Sequence, residues 1–347
     1  MSPSELPPPA THGAAPAPDD PPARPGGLRS RLGGPLRVLF GVAGVAFMVV
    51  AFLQTWDRSQ GLTLPSWSLL LAALASVLAD LVVALFAWST LLRPPRGTAG
   101  GRAGPAAGSP RAVAPGFFLA QLGKYVPGAV WQAVGQVGYA TRAHVSVARA
   151  SVSFVVFALT QAVAGGVLGA ATALLAPDLP GLLRIAAASG VLLLVLLDRR
   201  WLLRAVRLAE RRRPQLDAET LVADQASILR SVAYSVVVMA LAGLAFALVL
   251  AGTAPDVGFL LAAVPAFSLA WAVGFLALPF PAGLGVREAV LLATLGTVVP
   301  AAGLIAASVL LRLVFMVAEA LCILATRVGP LRAPTALRSG GRTRPPR

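Results

Sequence analysis

Gly123-Lys124-Tyr125-Val126-Pro127-Gly128-Ala129-Val130-Trp131-Gln132 interrupts one apolar stretch of this 347-residue chain. Phe280-Pro281-Ala282-Gly283-Leu284-Gly285-Val286-Arg287-Glu288 interrupts another. Both combine helix breakers with charge, and both are flanked by sequence apolar enough for hydrocarbon. A helix broken there leaves backbone N–H and C=O groups unpaired. Non-helical backbone persists at membrane depth only where protein covers it or where it lines a watery cavity. The two segments therefore predict a cavity inside a membrane-embedded helical bundle.

Composition agrees. The chain is 57% hydrophobic and 12% charged, with a mean hydropathy of +0.77, and several apolar runs reach the roughly 20 residues needed to cross a bilayer. The net charge of +15 sits in loops and tails between the apolar runs. That distribution reads as positive-inside topology and attraction to anionic lipid, and it argues against a nucleic-acid partner. One cysteine, Cys322, and two histidines, His12 and His144, leave no disulfide framework and no metal-ligand cluster. No metal or other cofactor is expected.

The chain divides into a Pro/Ala-rich tail over 1–34, a membrane domain over 35–328 and an Arg-rich tail over 329–347. Both tails have the composition of disordered sequence. Spans are expected at Leu36–Trp56, which reads as an uncleaved anchor, and at Ser66–Leu92, Ala150–Ala176 and Leu182–Leu197. Others follow at Ser231–Ala251, Val257–Leu278, Ala289–Val299 and Leu304–Leu324. Ala112–Val145 is too polar for a clean span and too apolar for a loop, which suits a re-entrant hairpin. The fold class is thus all-α, a polytopic bundle of about eight spans plus a re-entrant hairpin. Basic residues concentrate in the N-terminal flank, Arg93–Arg111, Asp198–Arg230 and the C-terminal tail. Both termini are accordingly expected in the cytoplasm, with both breaker motifs on that side. Between Arg199 and Arg213 the arginines fall at helical spacing beside Leu202, Leu203, Val206 and Leu208, a pattern expected to lie on the inner membrane surface. Each motif is followed by a short helical stretch and then a long span, which hints at an internal repeat.

Pro281, Gly283 and Gly285 stop one helix, and Arg287 and Glu288 open the next. A helix that begins inside a bundle aims free N–H groups and the positive end of its dipole at the cavity, where a neighbouring Arg favours phosphate. The bland reading makes Arg287 a topology charge and Glu288 a first-turn dipole partner. In the first motif Pro127 and Gly128 break the chain, and Lys124 is the sole lysine. Trp131 is suited to the interface, and Gln132 and Gln136 follow on the helix. In the last span Arg312 and Glu319 share a face about two turns apart. Arg312 lies near the middle, where insertion costs about 2.5–3.5 kcal/mol, so it requires a partner: a bound anion, or a structural pair with Asp80 or Glu288. Asp80 is the other buried charge, a proton-coupling group or a counter-charge. Gln161 reads as helix–helix glue.

Lys124-Tyr-Val-Pro-Gly-Ala-Val-Trp-Gln132 and Pro281-Ala-Gly-Leu-Gly-Val-Arg-Glu288 resemble, in order and spacing, two signatures of the lysylphosphatidylglycerol synthase transmembrane region family, also described as UPF0104-type flippase-like membrane proteins. Arg312 matches a basic residue common in that family's last helix. Ala282 departs from a glycine of the signature, and Gln161 stands where relatives often carry an acid. The resemblance covers about Leu36–Val328. It implies a lipid-handling membrane domain that flips an aminoacylated phospholipid in the best-understood members, which also carry a soluble aminoacyl-transferase domain. The chain ends soon after its last span, so synthesis of the lipid is not expected of it.

The expected function is a flippase or transporter in the cytoplasmic membrane for an anionic or polyprenyl-phosphate-linked lipid, its headgroup held by Lys124, Arg287 and Arg312. The partners are then membrane lipids. One alternative is a membrane subunit that anchors or gates a separate glycosyltransferase or synthase. An integral-membrane transferase is disfavoured, because Asp57, Asp178 and Asp256 stand isolated and no phosphate loop is present.

Overall fold

The computed structural model describes residues 64–95, 108–125, 130–175, 180–213, 216–253, 260–276 and 285–328. Among them the secondary structure is helical, with no strand. In chain order the helices are α1 (Trp67–Leu92), α2 (Pro110–Gln121), α3 (Val130–Ala140), α4 (Val147–Leu175), α5 (Gly181–Leu192), α6 (Arg199–Glu210), α7 (Ala218–Leu221), α8 (Gln225–Thr253), α9 (Leu260–Leu276), α10 (Val286–Leu295) and α11 (Ala301–Val328). A 3-10 turn, Leu122–Tyr125, extends α2, and another, Leu193–Leu197, extends α5. Four stretches are long and apolar enough to cross a membrane: Trp67–Leu92, Val147–Leu174, Ala218–Thr253 and Ala301–Arg327. The expected span Leu36–Trp56, both tails, and Pro127, Gly128, Pro281 and Gly283 of the motifs lie outside the described residues.

Contacts between helices give their directions. Ser76 Oγ of α1 donates to the Leu241 carbonyl of α8 at 2.8 Å, and Gly252 near the end of α8 abuts Pro65 just before α1, so the two run antiparallel. Within α2 and α3, Gly116 abuts Tyr139, Gly135 faces Ala120, and a Cβ on Gly123 would stand 2.6 Å from the Gln132 nitrogen. The pair is a helical hairpin in which position 123 has no room for a side chain. It leaves from the bundle end where α1 stops and α4 starts, since Gly108 abuts Leu92 and Arg149 bonds to that end of α1. In the same way Gly243 of α8 packs on Val264 of α9, and Gly274 of α9 on the Arg287 side chain of α10. The α9–α10 hairpin therefore leaves from the other end, where α8 stops and α11 starts.

The order long helix, short helix, break, ten- or eleven-residue helix, long helix thus occurs twice, as α1–α4 and as α8–α11. Packing follows the same pairing. The two leading helices, α1 and α8, lie along each other, α4 packs on α9 as α11 packs on α2, and α4 packs on α8 as α11 packs on α1. Small residues permit the closest crossings, with Gly166 of α4 against Gly190 of α5 and Gly165 and Gly169 of α4 against α9, as expected where packing rather than water drives association. Phe117 of α2 fills the space between α1 and α4. Its ring lies 5.7 Å from that of Trp88 and 6.3 Å from that of Phe157.

Two expectations change here. The segment expected as the span Ala289–Val299 forms the 10-residue α10, about 15 Å long at ~1.5 Å per residue, roughly half the hydrocarbon thickness. And the two hairpins that carry the described ends of the breaker motifs leave from opposite ends of the bundle, rather than from the one end that a shared placement implies. The basic helix α6 packs part of its expected apolar strip on protein. Leu203 is buried against Ala218 and Val222, and Leu202 and Val206 pack against the same cluster, leaving Trp201 and Leu208 exposed.

Arg149, which the sequence reading passed over, ties the arginine-rich end together. Its Nε donates to the Leu92 carbonyl at 2.8 Å, and its terminal nitrogens donate to the carbonyls of Arg93 and Thr220. It thus satisfies orphan acceptors at the C-terminus of α1 and α7. Charged hydrogen bonds of this kind contribute about 1.5–3 kcal/mol each at most. Arg149→Ala is expected to lower stability by about 3 kcal/mol, with Arg149→Lys recovering part of it. Thermal unfolding of the detergent-solubilised protein measures both; an unchanged midpoint in Arg149→Ala would refute the assignment.

Candidate functional site

The helix face that matters most belongs to α11. Ser308, Arg312, Phe315 and Glu319 follow at intervals of four, three and four residues, so they stand on one stripe. Each end of that stripe meets one hairpin.

At its upper part the partner is the start of α10. Gly285 takes φ +81°, a conformation that favours glycine, and turns the chain so that its N–H donates to Glu288 Oε2 at 2.8 Å. Glu288 thereby caps its own helix. Its other oxygen, Oε1, accepts from Ser308 Oγ at 2.6 Å and from the Arg312 guanidinium at 2.7 Å. The structural pairing of Arg312 with Glu288 weighed from the sequence is therefore present, and Glu288 serves both as first-turn acid and as counter-charge. One residue earlier, Arg287 lies with its guanidinium 5.7 Å from the Trp271 ring of α9, and its buried Nε has no hydrogen-bond partner.

At the lower part the partner is the 3-10 turn that ends α2. The Lys124 ammonium is paired with Glu319 Oε1, a side chain 27% exposed against one at 0%. The same ammonium lies 5.1 Å from the Phe315 ring and 5.3 Å from the Tyr125 ring, which cover it with aromatic surface. Arg312 and Glu319 share a face without touching, as the two-turn spacing requires, and each has its own partner from a different hairpin.

The two pairs belong to one cluster. Asp80 of α1, 5% exposed, stands within electrostatic reach of both Lys124 and Glu319. Tyr125 stands within reach of Glu319, Arg287 and Arg312, and Arg287 within reach of Arg312, Glu288 and Tyr125. Lys124, Arg287 and Arg312 are thus brought together, with Asp80, Glu288 and Glu319 as their counter-charges. Beside them Gln132 Nε2 donates to Gln121 Oε1 at 3.0 Å, and Gln136, one turn further along α3, is fully buried with both amide atoms unpartnered. Asp80 Oδ1 and Glu319 Oε2 are likewise buried without a partner. Trp131 is exposed. Gln161 lies in α4, buried, with Oε1 unpartnered.

Ser308, Phe315, Trp271 and Gln121 escaped the sequence reading. Ser308 and Phe315 had a signal in the helical interval to Arg312 and Glu319. Trp271 and Gln121 had none, because only the hairpin folds bring them near the break. Among the described residues no group of three or more His, Cys, Asp or Glu is placed to hold a metal ion.

Removing one partner of a buried pair strands the other charge, at about 3–5 kcal/mol. Lys124→Ala is therefore expected to destabilise strongly, and Lys124→Ala combined with Glu319→Gln to recover most of the loss. A thermal-shift double-mutant cycle reads the coupling, and additive effects would show that the pair is not formed.

No curated protein matches the chain. The family described as "Lysylphosphatidylglycerol synthase TM region" matches residues 36–320, a stretch that contains both breaker motifs, both hairpins, Arg312 and Glu319. The chain belongs to the lysylphosphatidylglycerol synthase transmembrane region family.

Proposed function

We propose that the protein is a flippase that moves an anionic phospholipid, or a polyprenyl-phosphate-linked lipid, across the cytoplasmic membrane. One observation carries the reading: two helical hairpins entering the bundle from opposite ends each deliver a cation to the same buried cluster on α11. Broken helices meeting near the middle of inverted units are the arrangement in which transporters hold a substrate between two gates. In this reading α1, α4, α5, α8 and α11 cross the bilayer, the apolar sequence 36–56 counts as one more crossing on hydropathy alone, and the two hairpins are re-entrant from opposite faces. The count becomes six crossings rather than eight, which still leaves both termini in the cytoplasm with the arginine-rich end inward.

Arg287 is the cation through which the headgroup enters the cluster. Lys124 and Arg312 each bond a carboxylate, whereas Arg287 holds a free donor beside the N-terminus of α10. Guanidinium and helix end together suit a phosphodiester. The acyl or prenyl tails remain in lipid while the headgroup passes along the α11 stripe.

Vesicles containing the full-length protein and a tail-labelled fluorescent phosphatidylglycerol test this. Wild-type protein is expected to expose inner-leaflet label to an external quencher faster than empty vesicles do. Arg287→Gln should slow the exchange about tenfold or more, the loss of one charged hydrogen bond. Equal rates for wild type, Arg287→Gln and empty vesicles would remove phosphatidylglycerol as a substrate.

A further inference from the structure

We infer that the inside of the α2–α3 hairpin is a subsite for the hydroxyls of the lipid headgroup, with the Gln136 amide as the group that reads them. The inference rests on the lipid-transport reading above. It narrows the substrate to a lipid whose headgroup carries free hydroxyls, a glycerol or a sugar.

Gln136 is 0% exposed, and among the described residues neither its Oε1 nor its Nε2 has a partner. Turning the amide over changes nothing, since both atoms are unpaired. Buried polar groups of folded proteins are nearly always hydrogen-bonded, because an unpaired one forfeits its hydration for nothing. Other buried polar groups nearby find partners within the protein. Ser89 and Thr90 bond carbonyls of their own helix, Ser153 bonds the Leu91 carbonyl, and Gln132 donates to Gln121. At Gln161 only Oε1 is buried and unpaired. Gln136 therefore offers a donor and an acceptor side by side, and a hydroxyl is the small group that satisfies both.

Its place in the fold ties it to the charge cluster. Helix α3 packs on α2 and on α4. Gln132 reaches Gln121 of α2, and its backbone nitrogen abuts Gly123, the neighbour of Lys124. Four residues later Gln136 lies on nearly the same face of α3, one turn closer to the arginine-rich end. Gln121, Gln132 and Gln136 thus continue the Lys124 end of the cluster as a polar face without charge. The described parts of the hairpin, 110–125 and 130–140, contain no carboxylate. Their cations are Arg111, in the first turn of α2, and Lys124, paired with Glu319. Arg149 of α4 is committed to the carbonyls of Leu92, Arg93 and Thr220. A headgroup ammonium finds no counter-charge in the hairpin beside Gln136, whereas a hydroxyl needs none. The phosphate belongs with Arg287, and the hydroxyls meet the amides as the headgroup passes between the cluster and the arginine-rich end.

The test compares two tail-labelled lipids in vesicles containing the full-length protein: phosphatidylglycerol and phosphatidylpropanol, which has the same charge and headgroup length but no free hydroxyl. Wild type is expected to move phosphatidylglycerol about tenfold faster, the worth of one good buried hydrogen bond. Gln136→Met keeps the length of the side chain and removes the amide, so it should move the two lipids at equal rates. Its thermal midpoint in detergent without added lipid should match or exceed that of wild type, because an unpaired buried amide has been lost. An amide that only joins helices predicts the opposite. Equal rates for the two lipids in wild type, or a preference that survives in Gln136→Met, overturns the inference and leaves the transport reading standing. A midpoint lowered by several degrees, or a variant that does not fold, also overturns it, since the amide is then bonded within the protein. If wild type moves neither lipid, phosphatidylglycerol is removed as a substrate and the midpoint alone judges the amide: a rise keeps the subsite and a fall removes it.

Discussion

Backbone polar groups left unpaired in hydrocarbon, and charges left uncompensated there, cost several kcal/mol each. The structure can be understood as the set of arrangements that let a membrane bundle contain both. At the break before α10 the residues that make the break also repair it, since Gly285 allows the turn and Glu288 caps the helix that follows. Glu288 then serves a second purpose by pairing with Arg312. The same side chain thereby links the local break to the last long helix.

The candidate site is therefore less an open anion pocket than a set of charges in which two of three cations are already paired. Lys124 and Arg312 are each bonded to a carboxylate, so a ligand has to compete with partners already in place. In the transport reading proposed above, substrate and counter-charge exclude each other, and that competition is the physical basis for switching. The inverted order of the two helical units offers a symmetric framework for opening first to one side and then to the other.

Much of this was legible from residue pattern. Breakers plus charge within apolar sequence pointed to a covered cavity, the interval between Arg312 and Glu319 put them on one face, and the family signatures carried Lys124 and Arg287 into the same argument. What pattern could not supply was pairing. Spacing permitted Arg312 to meet Asp80, Glu288 or a ligand, and nothing local decided among them. Arg149 was missed because a buried arginine near a helix start looks like an ordinary positive-inside charge until the carbonyl ends of α1 and α7 are seen around it. At α10 apolar composition suggested a span, and the helix formed is only ten residues long, because composition does not set where a short helix ends.

The sequence by itself determined that this is an all-helical membrane protein of one family, with two interrupted segments and a few costly internal charges, because hydropathy and breakers act locally. Only the tertiary structure decided that the two hairpins open toward opposite ends, that Lys124 meets Glu319 while Arg312 meets Glu288, and that Asp80 lies within electrostatic reach of Lys124 and Glu319. Those outcomes depend on helix direction and depth, which are set by packing between segments far apart in the chain.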